Sequence, residues 1–192
     1  SSTTPLDGGN ISSVVKMGSW VLKTLKPDQP AQMLISEAIG LVRLKVNGCR
    51  IPHVHFASEL GLVIKYHSPI SPSAVHYDEF AAQLAQLHLR KRVDYGDNAP
   101  AFLGPIQLPK IPAQMKWKQA FVQCRLRVVY ERALARDSDL RAIDLDALNG
   151  VALATEGPCL LHGDLWQGNM LSTQSGLLMV DPGCWIGERA ID

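Results

Sequence analysis

No two of the four cysteines, Cys49, Cys124, Cys159 and Cys184, form a C-x-x-C pair. That spacing excludes the usual pattern of a structural zinc site or a dithiol redox motif, and the chain is too large to need a disulfide framework, so buried thiols are expected. Neither sign of charge dominates: nineteen basic and eighteen acidic residues leave a formal charge of +1. A broad electrostatic surface for nucleic acid or anionic lipid is therefore not expected. No apolar run approaches the roughly 20 residues of a membrane span, and the first residues, SSTTPLDGGN, lack the charged and apolar regions of a secretory signal. A small-molecule partner and a cytoplasmic location are the resulting expectations. What remains is a chain of 192 residues, 46% hydrophobic, able to bury a sizeable core in one or two domains.

The most informative stretch is 161–183, LHGDLWQGNMLSTQSGLLMVDPG. It places Asp164, then Asn169, then Asp181 followed by Pro182-Gly183, in the slots of the kinase pattern H-R-D-L-x-x-x-N and D-F-G. Moving the γ-phosphoryl group of ATP requires placement of phosphates, metal and an attacking hydroxyl more than covalent chemistry. An aspartate can orient the hydroxyl and take its proton, while an amide oxygen and a second carboxylate suit Mg²⁺, a hard cation. Residues 170–172 and 177–180 read as two short strands about a turn at 173–176. Such a hairpin brings Asn169 close to Asp181.

The other half of such a site is expected far upstream. Residues 11–25 read as two strands joined at Met17-Gly18-Ser19. Gly8 and Gly9 stand just before them, where backbone N–H groups can approach phosphates without side-chain obstruction, or where they simply turn the chain. Lys23 lies in the second strand among apolar neighbours, and either snorkels to water or reaches phosphates. Residues 31–46 read as a helix with Met33, Leu41 and Leu44 on one stripe and Asn47-Gly48 as its stop. Glu37 falls in that stripe, and a carboxylate on a buried helix face needs a cation. Lys23 is the natural partner, as the kinase template requires.

Residues 51–66 predict a second hairpin; its His53-x-His55 pair has no third ligand nearby, which argues against zinc. Residues 67–73 break the pattern with two prolines and read as an interdomain linker. Helices are expected over 77–90, with Phe80, Leu84 and Leu87, and over 117–136, with Trp117, Phe121, Cys124 and Val128. Between them, 94–112 reads as a long loop of the kind that often carries function. Residues 140–153 look helical, and Gly157-Pro158 ends them before a strand at 159–161.

Taken together, these residues resemble the fructosamine kinases (ketosamine kinases), which belong with the aminoglycoside phosphotransferases. The resemblance runs through GGNIS, VLK with Lys23, SEAIGL with Glu37, QLAQLH, the loop DNAPAFLGPIQ, the helix KWKQAF…RL, and HGDLWQGN with Trp166. The loop with Asn98, Gly104 and Gln107 and the run DLWQGN are the narrowest of these signals.

The resemblance implies an α+β, protein-kinase-like two-lobed fold. Its N-lobe, 1–66, would be a small antiparallel sheet with one helix, and its C-lobe, 67–192, mostly helical. It implies an ATP- and Mg²⁺-dependent kinase of a sugar hydroxyl on ketoamine adducts, glycated lysines included. Asp164 would be the base, Asn169 and Asp181 the metal ligands, Lys23 the phosphate contact with Glu37 as its partner, and Gly8 and Gly9 the cover over the phosphates. His162 would support the loop, and Trp166 would line the sugar pocket or pack.

Gly163 stands where protein kinases carry arginine, which implies no reading of a phosphorylated loop. Residues 181–189 follow the family only in part, and Lys65 replaces an acidic hinge residue. The family continues beyond the position of Asp192, so a C-terminally truncated chain is expected, with apolar helix faces left uncovered. Two other functions fit the same residues: an aminoglycoside-like acceptor, or an inactive nucleotide-binding remnant.

Overall fold

The structure, a computed structural model, describes residues 3–6, 11–137, 144–151 and 155–192. Its first part is a five-stranded antiparallel sheet made of β1 (Thr3–Leu6), β2 (Ser12–Met17), β3 (Trp20–Leu25), β4 (Val54–Ala57) and β5 (Leu62–Lys65). The spatial order is β1-β2-β3-β5-β4. Both expected hairpins are present, the first turning at Gly18. β3 is paired on both edges, with Lys23 opposite Val14 on one side and Leu62 on the other. A side chain on a central strand is held by two ladders, which gives Lys23 a fixed origin.

Helix α1 (Gln32–Val46) packs on this sheet. Its Leu34 and Ala38 bury with Leu62 against Leu25, Val54 and Ile64. Leu41 and Leu44 are buried as the periodicity predicts, but Met33 is only half-buried and Leu34 takes its place in the core. The expected stop at Asn47-Gly48 forms: Gly48, at φ 92°, lets Cys49 N–H reach Leu44 O and Gly48 N–H reach Lys45 O. Those two bonds satisfy carbonyls that the helix end would otherwise leave open.

Leu44 points away from the sheet and joins the second core, with Phe80, Leu87, Leu160, Leu177, Met179 and Ile186. This core lies among α2 (Ala74–Leu89), β8 (Cys159–Leu161), the hairpin β9–β10 (Met170–Thr173, Gly176–Met179) and β11 (Trp185–Gly187), which pairs with β8. Helix α2 begins three residues before the expected position 77, because Ser73 caps it. The Ser73 hydroxyl accepts His76 N–H, and the His76 ring returns the bond. A histidine in the place of the usual Glu or Gln hides that capping box from a sequence reading. The linker 67–73 is not free chain, since Ile70 N–H donates to Ser172 O at 2.9 Å.

A third core gathers Tyr95, Leu108, Ile111, Trp117, Cys124, Leu161 and Trp185. Trp117 stands 6.1 Å from Trp185 and 5.3 Å from Phe121, centroid to centroid. The expected helix over 117–136 is interrupted: α3 (Trp117–Phe121) passes through a π-helical turn, Val122–Leu126, into α4 (Arg127–Leu134). The wider turn brings Val122, Cys124 and Arg125 into the interior together. Arg125 donates to Pro109 O and Cys124 O and lies 4.4 Å from the centre of the Trp185 ring. The 94–112 segment also departs from a plain loop, because it holds a hairpin, β6 (Ala101–Leu103) and β7 (Ile106–Leu108). Strands of three residues are too short to show alternation.

Of the stretch 140–153, residues 140–143 and 152–153 lie outside the described residues, and Leu145–Gly150 is a 3₁₀ helix. The apolar stripes are covered rather than bare, with Phe80 and Leu87 of α2 and Trp117 and Cys124 buried, while Val75, Tyr77 and Leu89 of α2 are exposed and no side chain of α4 is buried. The α+β class holds. No helix among the described residues is long and apolar enough to cross a membrane.

Leu44, fully buried between the two parts, tests this packing. Leu44→Ala is expected to cost about 2–5 kcal/mol of stability in urea unfolding. A loss under about 1 kcal/mol would mean that α1 is not seated as described.

Candidate active site

Lys23 leaves the middle of β3 and meets two carboxylates, Glu37 Oε2 of α1 at 2.7 Å and Asp181 Oδ1 at 3.0 Å. Asp181 directly follows the β9–β10 hairpin and takes a left-handed backbone conformation, φ 53°. Val180 N–H donates to Asn169 O at 3.1 Å, so the hairpin closes with Asn169 beside the segment that carries Asp181. The Asn169 amide, itself buried, donates to Asp164 O at 2.8 Å and Asp164 Oδ2 at 3.0 Å. That spends both amide hydrogens and leaves its carbonyl oxygen available to a cation. Five residues from four segments thus face one cleft.

The loop bearing Asp164 is held from below. His162, with no solvent exposure, donates Nε2–H to Val180 O at 3.0 Å. Its backbone N–H and that of Gly163 donate to the two oxygens of Asp192, each at 2.8 Å. His88 Nε2 lies 3.0 Å from the same carboxylate. Burial holds the His162 ring below the usual histidine pKa, so it stays neutral and supports the loop. Gly163 has φ 83°, and a Cβ there would stand 2.7 Å from the Trp185 ring. Trp185 fills the space that a side chain at position 163 would need.

One ammonium cannot neutralise two carboxylates. Burial pushes the Glu37 carboxyl up to about 7, against the pull of Lys23, and the charge of Asp181 adds to the rise. Burial opposes the Lys23 charge, but Glu37 and Asp181 outweigh it and the ammonium is held above its ordinary value. The Asp164 carboxyl is raised by partial dehydration, offset in part by its Asn169 hydrogen bond. A raised carboxylate is a better proton acceptor near neutral pH.

The cleft is lined by Lys23, Glu37, Asp164, Asn169 and Asp181, all foreseen, by Trp166, for which lining or packing was expected, and by Ser36, Phe102, Leu103 and Gly104. The hairpin residues among these had no periodic signal, though their segment stood out by its length. The Trp166 ring lies so close over Gly168 that a Cβ there would come within 2.3 Å of it, and the residue is 61% exposed. Gly8 and Gly9 lie outside the described residues. Among the described residues no group of three or more His, Cys, Asp or Glu is placed to hold a metal. Asn169 Oδ1 and the Asp181 oxygen that Lys23 leaves free are hard donors, and such a pair suits a cation that takes its remaining ligands from phosphate and water.

A strand lysine paired with a helix glutamate, set against a D-x-x-x-x-N loop and a D-P-G turn in one cleft, defines an ATP-dependent phosphotransferase of the protein-kinase-like fold. More narrowly, the chain belongs to the fructosamine kinase family, whose model matches residues 1–192. A "probable ketoamine kinase" of Thermus thermophilus is 36% identical over 188 residues, covering 98% of this chain and 69% of that protein. The chloroplastic protein-ribulosamine 3-kinase of Arabidopsis thaliana is 27% identical, covering 91% of this chain and 57% of its own length. The crystal structure of a candidate fructosamine-3-kinase from Thermobifida fusca superposes with a TM-score of 0.82 at 26% identity, covering 98% of this chain and 70% of that one. The streptomycin–ATP complex of the aminoglycoside phosphotransferase APH(2″)-IIa shares the fold, with a TM-score of 0.68 at 21% identity, covering 100% and 69%.

Two outcomes follow from this geometry. Between about 4.5 and 7 the folded chain keeps the Glu37 proton that the unfolded chain has released, so this group makes the unliganded protein less stable as pH rises through that window. Thermal melts across that range should show the decline, and Glu37→Gln should flatten it; equal slopes would refute the assignment. Gly163→Ala forces a Cβ against Trp185 in a left-handed backbone, and is expected to cost about 1–3 kcal/mol in chemical unfolding.

Proposed function

We propose that this protein transfers the γ-phosphoryl group of ATP to a sugar hydroxyl of a fructosamine or other ketosamine, free or on a glycated lysine, as a repair reaction. The observation that carries the reading is the single cleft in which Lys23 joins Glu37 and Asp181 while Asn169 holds Asp164. The family and its ketoamine and ribulosamine kinase relatives support the acceptor class. The lobes divide at 66/67, with the nucleotide between them, and the reaction is placed in the cytoplasm, one compartment that supplies ATP.

In this reading Lys23 steadies the α- and β-phosphates, and Glu37 holds the ammonium in place from the α1 side. Asn169 Oδ1 and Asp181 would hold Mg²⁺, which would neutralise charge on the transferred phosphoryl group. Gly8 and Gly9 cover the phosphates. Asp164 accepts a hydrogen bond from the acceptor hydroxyl and takes its proton as the oxygen bonds to the γ-phosphorus. The bond from that phosphorus to the bridging oxygen breaks, and ADP leaves with the electron pair. The Asn169 amide fixes the rotamer from which Asp164 does this.

A panel of fructoselysine, ribuloselysine and aminoglycosides, each with Mg·ATP in an ADP-release assay, tests the proposal. Turnover is expected with the ketosamines, and Asp164→Asn should lower kcat by about 10²-fold or more while changing ATP affinity little. Aminoglycoside-only turnover would reassign the acceptor. Full activity of the variant would remove Asp164 from its role.

A further inference from the structure

Beside the face that presents Glu37, α1 carries a second stripe. Ser36, Gly40 and Arg43 stand at i, i+4 and i+7 and share one side of the helix. Ser36, 6% exposed, donates its hydroxyl to Pro100 O at 2.7 Å. Arg43 Nη2 meets Asp97 Oδ2 at 2.8 Å, and both side chains are largely buried. The other Asp97 oxygen accepts Ala99 N–H at 3.1 Å, which ties the loop at the point where α1 grips it. Between them, Gly40 lies against Pro182 and Cys184, and its carbonyl accepts the Cys184 thiol at 3.5 Å.

The gripped segment leads straight into β6. Phe102, Leu103 and Gly104 of the hairpin line the same cleft as Asp164 and Trp166. The Phe102 carbonyl stands 3.1 Å from where a Cβ of Gly183 would be, so the hairpin also bears on the turn that carries Asp181. A serine inside a helix ordinarily bonds its own backbone or faces water. Ser36 instead spends its hydroxyl on a carbonyl 64 residues away, one peptide unit from Glu37.

We propose that Ser36 and Arg43 are positioning residues that fasten the β6–β7 hairpin to α1, so that seating an acceptor against the hairpin and seating Glu37 on Lys23 are one coupled event. The proposal rests on the reading of the cleft as a kinase site, and it adds that the acceptor sits beside Phe102 and Leu103, which line that cleft. Neither residue touches the reacting atoms. Because the coupling is a property of binding equilibria, it is reciprocal: acceptor tightens nucleotide binding by the factor by which nucleotide tightens acceptor binding.

The test compares the wild-type protein with Ser36→Ala, Arg43→Ala and the double variant, with Arg43→Lys as the conservative control. Calorimetry measures the affinity for a non-hydrolysable Mg·ATP analogue with and without fructoselysine, and hydrogen exchange reads the amides of 32–46. Wild type is expected to bind the nucleotide about fivefold or more tighter with acceptor present. The double variant should lose that factor, exchange α1 amides faster, and keep wild-type exchange in β9–β10; Arg43→Lys should retain most of the coupling. An equal coupling factor in wild type and double variant, or no coupling in either, overturns the proposal. If fructoselysine does not bind while the nucleotide does, the acceptor reading has failed, and the exchange of α1 decides: faster in the double variant upholds the fastening, unchanged refutes it.

Discussion

The contact on which the structure depends is the ammonium of Lys23 between two carboxylates. It joins the central strand of the sheet and the helix α1 that follows it to the turn after the β9–β10 hairpin, which lies most of the chain away. Each is held by its own packing: two ladders for Lys23, an apolar face and a glycine stop for α1, and a hairpin closed through Asn169 for Asp181. Two negative groups on one cation leave the buried Glu37 short of compensation, and its other oxygen, Oε1, is buried without a hydrogen-bond partner among the described residues. A site that is under-neutralised on this side is arranged to receive positive charge.

The loop that bears Asp164 is positioned by a different logic. Nothing in it is rigid by itself, yet its backbone is fixed by the Asp192 carboxylate, its ring by the Val180 carbonyl, and its turn by the indole of Trp185. The last contact gives a physical reason for glycine at 163 that is independent of any loop phosphorylation: a side chain there has neither a permitted φ nor space. Asp164 is then set at the cleft by a loop whose every anchor lies behind it.

Much of this was legible in the sequence because it is written in residue types with one strong chemical use. Lys23 and Glu37 follow from charge on apolar elements, Asp164, Asn169 and Asp181 from the kinase pattern supported by hairpin spacing, and the two N-terminal hairpins and α1 from alternation, periodicity and turn glycines. The hairpin 101–108 did not, because two strands of three residues around Gly104-Pro105 carry no period. The π turn at Val122–Leu126 breaks the 3.6-residue repeat on which the helix was read, and β11 is a run of three residues after a proline and a glycine. The polar stripe of Ser36 and Arg43 was hidden for another reason, since a serine and an arginine on a helix ordinarily read as solvated positions. Partners 64 and 54 residues away, Pro100 and Asp97, are a matter of tertiary placement.

In the proposed reaction this one cleft brings nucleotide, metal and ketosamine hydroxyl together at Asp164. A crystal structure with Mg²⁺, a non-hydrolysable ATP analogue and fructoselysine tests it most directly. Expected are a metal between Asn169 Oδ1 and Asp181, phosphate oxygens at Lys23, and a sugar hydroxyl within hydrogen-bond distance of the Asp164 carboxylate. A nucleotide bound outside this cleft, or a sugar whose hydroxyls all lie beyond reach of Asp164, would contradict it.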